Sequence, residues 1–388
     1  MHPKLASHPF WLVGFRPFFS LACLAGFALP LLWILLFVGW IPASMQSFSS
    51  MQWHAHEMFF GFGWAVIGGF LLTATKNWVQ IRGFHGYALM ALSVAWLLER
   101  FGMWFEAKLP WLVFVVSNNL FLVSIVAMLA WTLIRHRKTD SYRDNYFFLL
   151  VLPMFLAAKY LMLNAEYFSL GVSMAIGLFR MAFLIMLERT LTQFMKSAFQ
   201  VELLRNSSLD KSIKLLGVVM VFEQLLPSSV STLTALVLAV LLSFRFAFWK
   251  PHLAMRRIDI GVMYLGYLFI VTQLLMLAAR QFVEPELIGG VVTHVFTFGV
   301  MGLIIPGMLI RISKGHTGRK VSFDVGDKAV LWMMILAFVS RLIAPQFFPA
   351  NYLHWVTLAA IAWSSAFAIL GWRYIPYLMQ PRVDGKEH

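Results

Sequence analysis

Cysteine is almost absent from this chain of 388 residues, in which Cys23 is the only one. A single cysteine excludes an internal disulfide, a thiolate-bound iron–sulfur cluster and the C-x-x-C-H attachment of covalent haem. It also excludes a zinc site built from thiolates. Any metal or haem in this protein must therefore be held by histidine, methionine or carboxylate side chains.

Charged residues are scarce as well. Only 12% of the residues are charged, whereas 60% are hydrophobic, and the mean hydropathy is +0.76. Long apolar stretches recur along the chain, which predicts an all-α, polytopic transmembrane helical bundle in contact with the lipid bilayer. The formal net charge of +14 does not indicate nucleic-acid binding, because the basic residues lie in short loops between the apolar stretches.

The apolar stretches predict about twelve spans in a single domain over residues 1–388, each near the ~20 residues that a bilayer requires. The predicted limits are 18–40, 53–75, 86–105, 111–134, 145–164, 168–190, 212–227, 229–249, 260–280, 288–312, 327–345 and 352–376. Every second connection contains several Lys or Arg residues. The alternate connections contain only one such residue, Lys108. By the positive-inside rule, both termini are predicted to be cytoplasmic.

The second predicted span opens with Trp53-His54-Ala55-His56-Glu57-Met58. Ionisable groups in an apolar span are functional candidates, since a charge at mid-bilayer costs about 2.5 kcal/mol or more. Residues two apart point to different sides of a helix, so His54 and His56 are not expected to converge on one ion. They predict either two adjacent sites or a pair of interfacial histidines beside Trp53. Small residues further along this span predict a close helix–helix contact: Gly61, Ala65 and Gly69.

A third histidine of interest, His294, lies six residues into the tenth predicted span, roughly 9 Å deep at 1.5 Å per residue. The topology places it on the same outer side as His54 and His56. This layer also holds cations that oppose the orientation rule: Arg100, Lys159, Arg280 and Arg341. Such cations predict partners, either carboxylates such as Glu57, Glu99 and Glu223 or the propionates of a cofactor.

A basic turn follows the tenth predicted span and reads Arg311-Ile312-Ser313-Lys314-Gly315-His316-Thr317-Gly318-Arg319. Two glycines, an imidazole and several cations in one turn suit the binding of an anion. A plain basic turn at the membrane surface explains the same residues equally well. His316 and Arg319 are therefore candidate functional residues, and the ligand stays open.

Several patches together resemble the NnrS family, membrane proteins associated with the bacterial response to nitric oxide. The patches are Gly14-Phe15-Arg16-Pro17-Phe18-Phe19, Trp53-His54-Ala55-His56-Glu57-Met58, Gly69-Phe70-Leu71-Leu72-Thr73-Ala74, His294 with Gly299 and Gly302, Gly315-His316-Thr317-Gly318-Arg319 and Pro381-Arg382-Val383-Asp384-Gly385. The resemblance implies a twelve-helix protein of the bacterial inner membrane that contains haem and copper. It also implies a link to denitrification and to protection from nitrosative stress. Candidate functional residues in the matching patches are His54, His56, Glu57, His294 and His316.

The leading hypothesis is a membrane protein that binds non-covalent b-type haem and copper and acts in nitric oxide metabolism or tolerance. Haem iron takes axial imidazole, and its propionates would pair with Arg100, Arg280 or Arg341. The predicted metal ligands are His294 and one of the pair His54 and His56. Glu57 is predicted to support a ligand or to carry protons. Metal binding ranks above catalysis, because the sequence contains no soluble redox domain as an electron donor.

Two alternatives belong to other classes. A transporter of a small solute, haem or a metal ion fits many spans with buried charges, although no internal repeat is visible in the sequence. A quinol-linked redox enzyme acting on nitric oxide fits the histidines. Histidine-dependent uptake into proteoliposomes would favour the first alternative, and nitric oxide consumption by the pure protein with a quinol would favour the second.

Overall fold

The computed structural model describes residues 3–42, 47–142, 145–283 and 287–386, which form helices and turns and contain no strand. The principal helices are α1 (Phe15–Phe37), α2 (Ser50–Trp78), α3 (Tyr87–Trp104), α4 (Trp111–Arg135), α5 (Tyr146–Leu163), α6 (Phe168–Phe199), α7 (Ser207–Val219), α8 (Ser228–Phe248), α9 (Ile258–Ala279), α10 (Val291–His316), α11 (Val325–Phe347) and α12 (Tyr352–Met379). The predicted all-α class is confirmed.

Ten helices in the described ranges are long and apolar enough to cross a membrane, as expected of a polytopic membrane protein. The helices α3 and α7 are not among these ten. The last turns of α3 carry Glu99 and Arg100, and α7 has only 13 residues before a 3-10 turn over Met220–Leu225. The prediction of twelve spans is therefore not confirmed, and the orientation of the termini stays a prediction.

Local sequence signals set where two of the important helices begin. A capping box begins α2, in which the Ser49 hydroxyl accepts the Gln52 backbone N–H and the Gln52 side chain accepts the Ser49 backbone N–H. A second capping box, formed by Asp324 and Asp327, begins α11. These caps satisfy backbone donors that would otherwise be orphaned at the helix start. The register of the histidines in α2 is therefore fixed by the Ser49 cap.

Three helices contain a π-helical segment. These segments are Glu57–Gly63 in α2, Val295–Met301 in α10 and Val339–Ile343 in α11. At the end of the first one, the Trp64 N–H bonds to the Phe59 carbonyl, five residues back. Segments of this kind are rare and occur mostly at functional sites, because they re-aim side chains and free carbonyls from the helical ladder. All three lie at histidines or arginines that the sequence singles out.

The small residues of α2 bring it close to α1. A Cβ built on Gly69 would lie 2.8 Å from the Phe18 Cβ, a separation that real side chains do not adopt. Four residues later, the Thr73 hydroxyl accepts the Phe15 backbone N–H at 2.9 Å. The close helix–helix contact predicted from the small-residue row is confirmed at Gly69.

The described helices form two compact units. The first comprises Met1–Gly171, Ile312–Val321 and Phe367–His388, and the second comprises Val172–Arg311 and Ser322–Ala366. Each unit has its own buried apolar interior, including Phe18 and Trp64 in the first and Phe179, Ile270 and Ile310 in the second. The single domain expected from the sequence stays a prediction.

Candidate functional site

The first unit buries a network of polar side chains around the π segment of α2. We call it the α2 network, and its members are His56, Glu57, Glu99, Arg100, Asn118 and Lys159. His56 is the last residue before the π segment and has no solvent exposure. Its Nδ1 lies 3.0 Å from Glu57 Oε1, so the ring carries its proton on Nδ1 and donates it to this carboxylate.

Two cations neutralise the carboxylates of the α2 network. Arg100 Nε lies 2.8 Å from Glu57 Oε2, and Arg100 Nη2 lies 2.9 Å from Glu99 Oε1. Lys159 Nζ, on α5, lies 2.5 Å from the same Glu99 oxygen. Two carboxylates and two cations balance, which is the condition under which buried charges are tolerated. The predicted pairing of outer-side cations with Glu57 and Glu99 therefore holds for Arg100 and Lys159.

Asn118 on α4 closes the network on its other side. Its amide Nδ2 donates to His56 Nε2 at 3.3 Å, and its backbone carbonyl accepts a hydrogen bond from Lys159. Glu99 Oε1 is 3.5 Å from His56 Nε2, while Glu99 Oε2 is buried and accepts no hydrogen bond. Sequence reasoning missed Asn118, although the pair Asn118-Asn119 inside a long apolar helix is a signal that could have found it.

The π segment of α2 supplies backbone acceptors to the network. The Gly61 carbonyl accepts the Trp96 indole N–H at 3.0 Å, and the Phe60 carbonyl accepts Arg100 Nη1 at 3.3 Å. A Cβ built on Gly61 would lie 2.9 Å from Arg100 Nη1. Glycine is therefore needed at position 61 because α3 approaches the backbone of α2 there.

His54 faces a different environment from His56. Its ring lies against the Trp33 ring of α1 with 4.3 Å between centroids, and it is only partly buried. The expectation that His54 and His56 do not converge on one ion agrees with this placement. His56 is fully buried, and its two ring nitrogens are engaged by Glu57 and Asn118.

The second unit contains another histidine at the start of a π segment, in what we call the α10 site: Gly289, Gly290, His294, Arg341 and Tyr352. His294 Nδ1 donates to the Gly290 carbonyl at 2.9 Å. Arg341, inside the π segment of α11, donates from Nη2 to His294 Nε2 at 3.4 Å. His294 is partly exposed, whereas Arg341 is 6% exposed and its Nη1 is buried without a hydrogen-bond acceptor.

The absence of a side chain at Gly289 leaves space for the Arg341 guanidinium. Gly289 has φ +89°, and a Cβ built there would lie 2.7 Å from Arg341 Nη1 and 3.1 Å from the Tyr352 hydroxyl. The Arg341 guanidinium lies 5.8 Å from the Tyr352 ring centroid. Among the described residues, no carboxylate oxygen lies within 4.0 Å of the Arg341 guanidinium, which distinguishes Arg341 from Arg100.

The two π segments that follow a histidine share a local sequence pattern, which sequence reasoning missed. His56 is followed by Phe60 and Gly61, and His294 is followed by Phe298 and Gly299. Each π segment starts one residue after its histidine and has 7 residues. A further glycine lies 13 positions after each histidine, at Gly69 and Gly307. The same short pattern therefore builds the same distortion of the helix twice.

The remaining predicted site residues lie elsewhere. Arg280 is the exposed residue after the last turn of α9. His316 is partly buried and its ring lies 5.3 Å from that of Phe15, and Arg319 donates to the Gln380 side chain at 3.0 Å. Arg180, in α6, donates to the Gln273 side chain at 2.8 Å rather than to a carboxylate.

Sequence reasoning also missed a second buried charge network, in the second unit. Glu188 accepts hydrogen bonds from Arg205 at 2.5 Å and from Lys214 at 3.1 Å. Arg245 lies 3.3 Å from the other Glu188 oxygen and donates to the Tyr267 hydroxyl at 3.0 Å. Its members come from α6, α7, α8 and α9, and the loop between α6 and α7. The network explains how a helix as short and polar as α7 is held in place.

A preformed metal cluster is not found among the described residues, where no three His, Cys, Asp or Glu side chains group as a metal site. The structure thus offers no ready-made set of copper ligands there. In His294 the Gly290 carbonyl holds the Nδ1 proton, which leaves Nε2, now in contact with Arg341 Nη2, as the ring nitrogen that can accept a bond.

The fold and these sites define a class: a polytopic helical membrane protein with ionisable networks buried beside π-helical segments. The chain belongs to the NnrS family, since the family model described as NnrS protein matches residues 9–382, nearly the whole chain. No curated protein matches the sequence.

Proposed function

We propose that this protein binds non-covalent b-type haem in the bacterial inner membrane and acts in nitric oxide metabolism or in protection from nitrosative stress. The observation that supports haem most directly is the α10 site. His294 has its Nδ1 proton held by the Gly290 carbonyl, and Nε2 faces Arg341. Arg341 in turn has a buried N–H without an acceptor. The role in the nitric oxide response rests on membership of the family.

In this proposal His294 would hold the iron through Nε2 in place of its present contact with Arg341 Nη2, and Arg341 would pair with a propionate carboxylate. Bound haem would supply an iron centre able to bind a small gas such as nitric oxide. The chain itself fixes the tautomer of His294 and presents a cation to the carboxylate. Copper, which the family resemblance also implies, remains part of the proposal, with the partly exposed His54 as the candidate ligand.

The α2 network has a separate role in this proposal, the movement of a proton inside the membrane. His56 shares its Nδ1 proton with Glu57, and its Nε2 lies 3.5 Å from Glu99. A carboxylate, an imidazole and a second carboxylate in sequence can pass a proton, and intramembrane chains of this kind mark proton relays. Glu99 Oε2, which accepts no hydrogen bond, is where a proton would be received or released.

The optical spectrum of protein purified from haem-replete cells tests the proposal. We expect a Soret band, and His294→Ala should abolish it or shift it strongly. His354→Ala is the matched control, because His354 is an exposed histidine at the start of α12, and it should leave the band unchanged. A wild-type protein without a Soret band would refute haem binding. Metal analysis of the same samples tests copper.

The α2 network also favours one alternative, proton-coupled transport of a small solute, haem or a metal ion. Buried carboxylates paired with cations are typical of transporters that exchange protons for substrate. Assays in proteoliposomes distinguish transport from redox activity on nitric oxide. Uptake of haem or copper that requires a proton gradient and is lost in Glu99→Gln would support transport. Nitric oxide consumption with a quinol would instead support the redox enzyme.

A further inference from the structure

The basic turn after α10 meets the first turn of α1 and the end of α12 in the first unit. Arg16 is fully buried at the start of α1, and its Nη1 donates to the carbonyls of Leu378 at 2.8 Å and Gln380 at 2.6 Å. The other two nitrogens of its guanidinium, Nε and Nη2, are buried without an acceptor. A buried guanidinium with two unused donors requires an explanation, since such groups normally have partners.

A second arginine converges on the same residue, Gln380. Arg319 Nη2 donates to the Gln380 side-chain oxygen at 3.0 Å, and its guanidinium lies over the Tyr377 ring at 3.9 Å. Arg319 Nη1 is likewise buried without an acceptor. Gln380 therefore holds two guanidinium groups side by side through its backbone and side-chain oxygens. Two positive guanidinium groups, those of Arg16 and Arg319, therefore lie close together, and each has N–H donors without an acceptor.

The surroundings add positive charge rather than neutralising it. The segments 312–321 and 367–386 contain Lys314, Arg319, Lys320, Arg373, Arg382 and Lys386 against one acid, Asp384. Asp384 is already paired with Arg382, whose Nη2 lies 2.5 Å from Asp384 Oδ2. Burial, together with the nearby positive charges of Arg382 and Arg319, disfavours the charged form of the Arg16 guanidinium. Arg382 also donates to the His316 carbonyl at 3.0 Å, which fixes the turn.

We propose that Arg16 and Arg319 bind a phosphate group at this point. Guanidinium groups bind phosphate through paired N–H donors, and an anionic group suits a cluster with a surplus of cations. Gly318 has φ +80°, and a Cβ built there would lie 2.8 Å from the Asp384 side chain, so glycine lets the turn approach Asp384 closely. The phosphate group belongs either to a phospholipid headgroup or to a soluble phosphate. The positive-inside rule predicts that this end of α1 faces the cytoplasmic leaflet, where anionic headgroups lie.

Thermal unfolding of the full-length protein in detergent tests the site with two probes. The first is sodium phosphate, compared with sodium chloride at equal ionic strength. The second is phosphatidylglycerol, compared with phosphatidylcholine in otherwise equal mixed micelles. We expect at least one probe to raise the unfolding midpoint of the wild type. A response to phosphate alone identifies a soluble ligand, and a response to phosphatidylglycerol identifies a lipid.

Arg16→Gln and Arg319→Gln should each weaken binding of the active probe by about tenfold or more, because each removes charged hydrogen bonds to the anion. Arg137→Gln is the matched control, as Arg137 is exposed, and it should bind like the wild type. If Arg16→Gln does not fold, Arg319→Gln alone tests the proposal, since the Arg319 side chain is only partly buried. Absence of any shift in the wild type, or equal shifts in wild type and Arg319→Gln, would overturn the proposal.

Discussion

The α2 network and the α10 site start from the same local pattern and differ in how the cation is neutralised. In both, a histidine precedes a seven-residue π segment, keeps its proton on Nδ1 and presents Nε2 to a nitrogen donor. Around His56, Arg100 and Lys159 are matched by two carboxylates. Beside His294, the described residues supply no carboxylate within 4.0 Å of Arg341.

This difference separates two uses of one motif. The network around His56 is fully buried and balanced in charge, which stabilises the helices around it and lets it hold a proton. His294 is partly exposed and the described residues supply no carboxylate to Arg341, which an anionic cofactor would supply in the proposed function. The contrast is between a site that the protein completes by itself and a site that a ligand would complete.

The largest expected effect comes from breaking the closed network. Lys159→Met leaves two buried carboxylates with one cation, so we expect the free energy of unfolding to fall by about 3–5 kcal/mol. Unfolding in denaturing detergent, followed by circular dichroism, measures it. The double variant Lys159→Met with Glu99→Gln restores charge balance and should be more stable than the single variant. A single variant as stable as the wild type would show that the network is not neutral as described.

Crowding the π segment should have the next largest effect. Gly61→Ala places a Cβ 2.9 Å from Arg100 Nη1, and the ion pairs of Arg100 prevent it from moving away. Overpacking of this kind costs about 1–3 kcal/mol. Gly315→Ala is the control, because its Cβ would meet only Val321, at 3.6 Å. Equal unfolding midpoints for the two variants would contradict the close approach of α3 to α2.

The open site should respond in the opposite way to loss of its cation. Arg341→Met removes a buried charge that has no carboxylate partner, so we expect the stability of the apoprotein to change by no more than about 1 kcal/mol or to increase. Haem affinity should fall, since the propionate loses its cation. Parallel measurements of unfolding and haem titration on the apoprotein separate these effects. A loss of stability as large as that of Lys159→Met would remove the distinction between the two sites.

The smallest expected effect on stability comes from the ion pair between Arg382 and Asp384. The Arg382 guanidinium lowers the pKa of the Asp384 carboxyl from 3.8 to about 2. Because the pKa is depressed in the folded state, this contribution is present above the unfolded value and is lost as the pH falls through about 2. Asp384→Asn should therefore lower the unfolding midpoint slightly at neutral pH, and this effect should shrink as the pH falls from 3.8 to about 2. A large effect at neutral pH would show that the turn depends on this pair.

Much of the fold follows from the sequence, because hydropathy and the capping signals report directly on helices in a membrane protein. The prediction of twelve spans was less exact, since Glu99 and Arg100 lower the hydropathy of α3 and α7 is held by charges from other helices. Helical geometry correctly separated His54 from His56. The π segments, Asn118 and the cation partners could not be predicted, because they depend on which helices are neighbours, and periodicity within one helix does not contain that information.

Rescue by imidazole tests the central contrast most directly. In His294→Gly, free imidazole can occupy the space of the missing ring, whereas His56→Gly removes a member of a closed network. Our account predicts that His294→Gly loses the Soret band and regains it when imidazole is added, while His56→Gly, where it folds, keeps the band without imidazole. A Soret band that persists in His294→Gly, or one that depends on imidazole only in His56→Gly, would contradict the assignment of the two histidines.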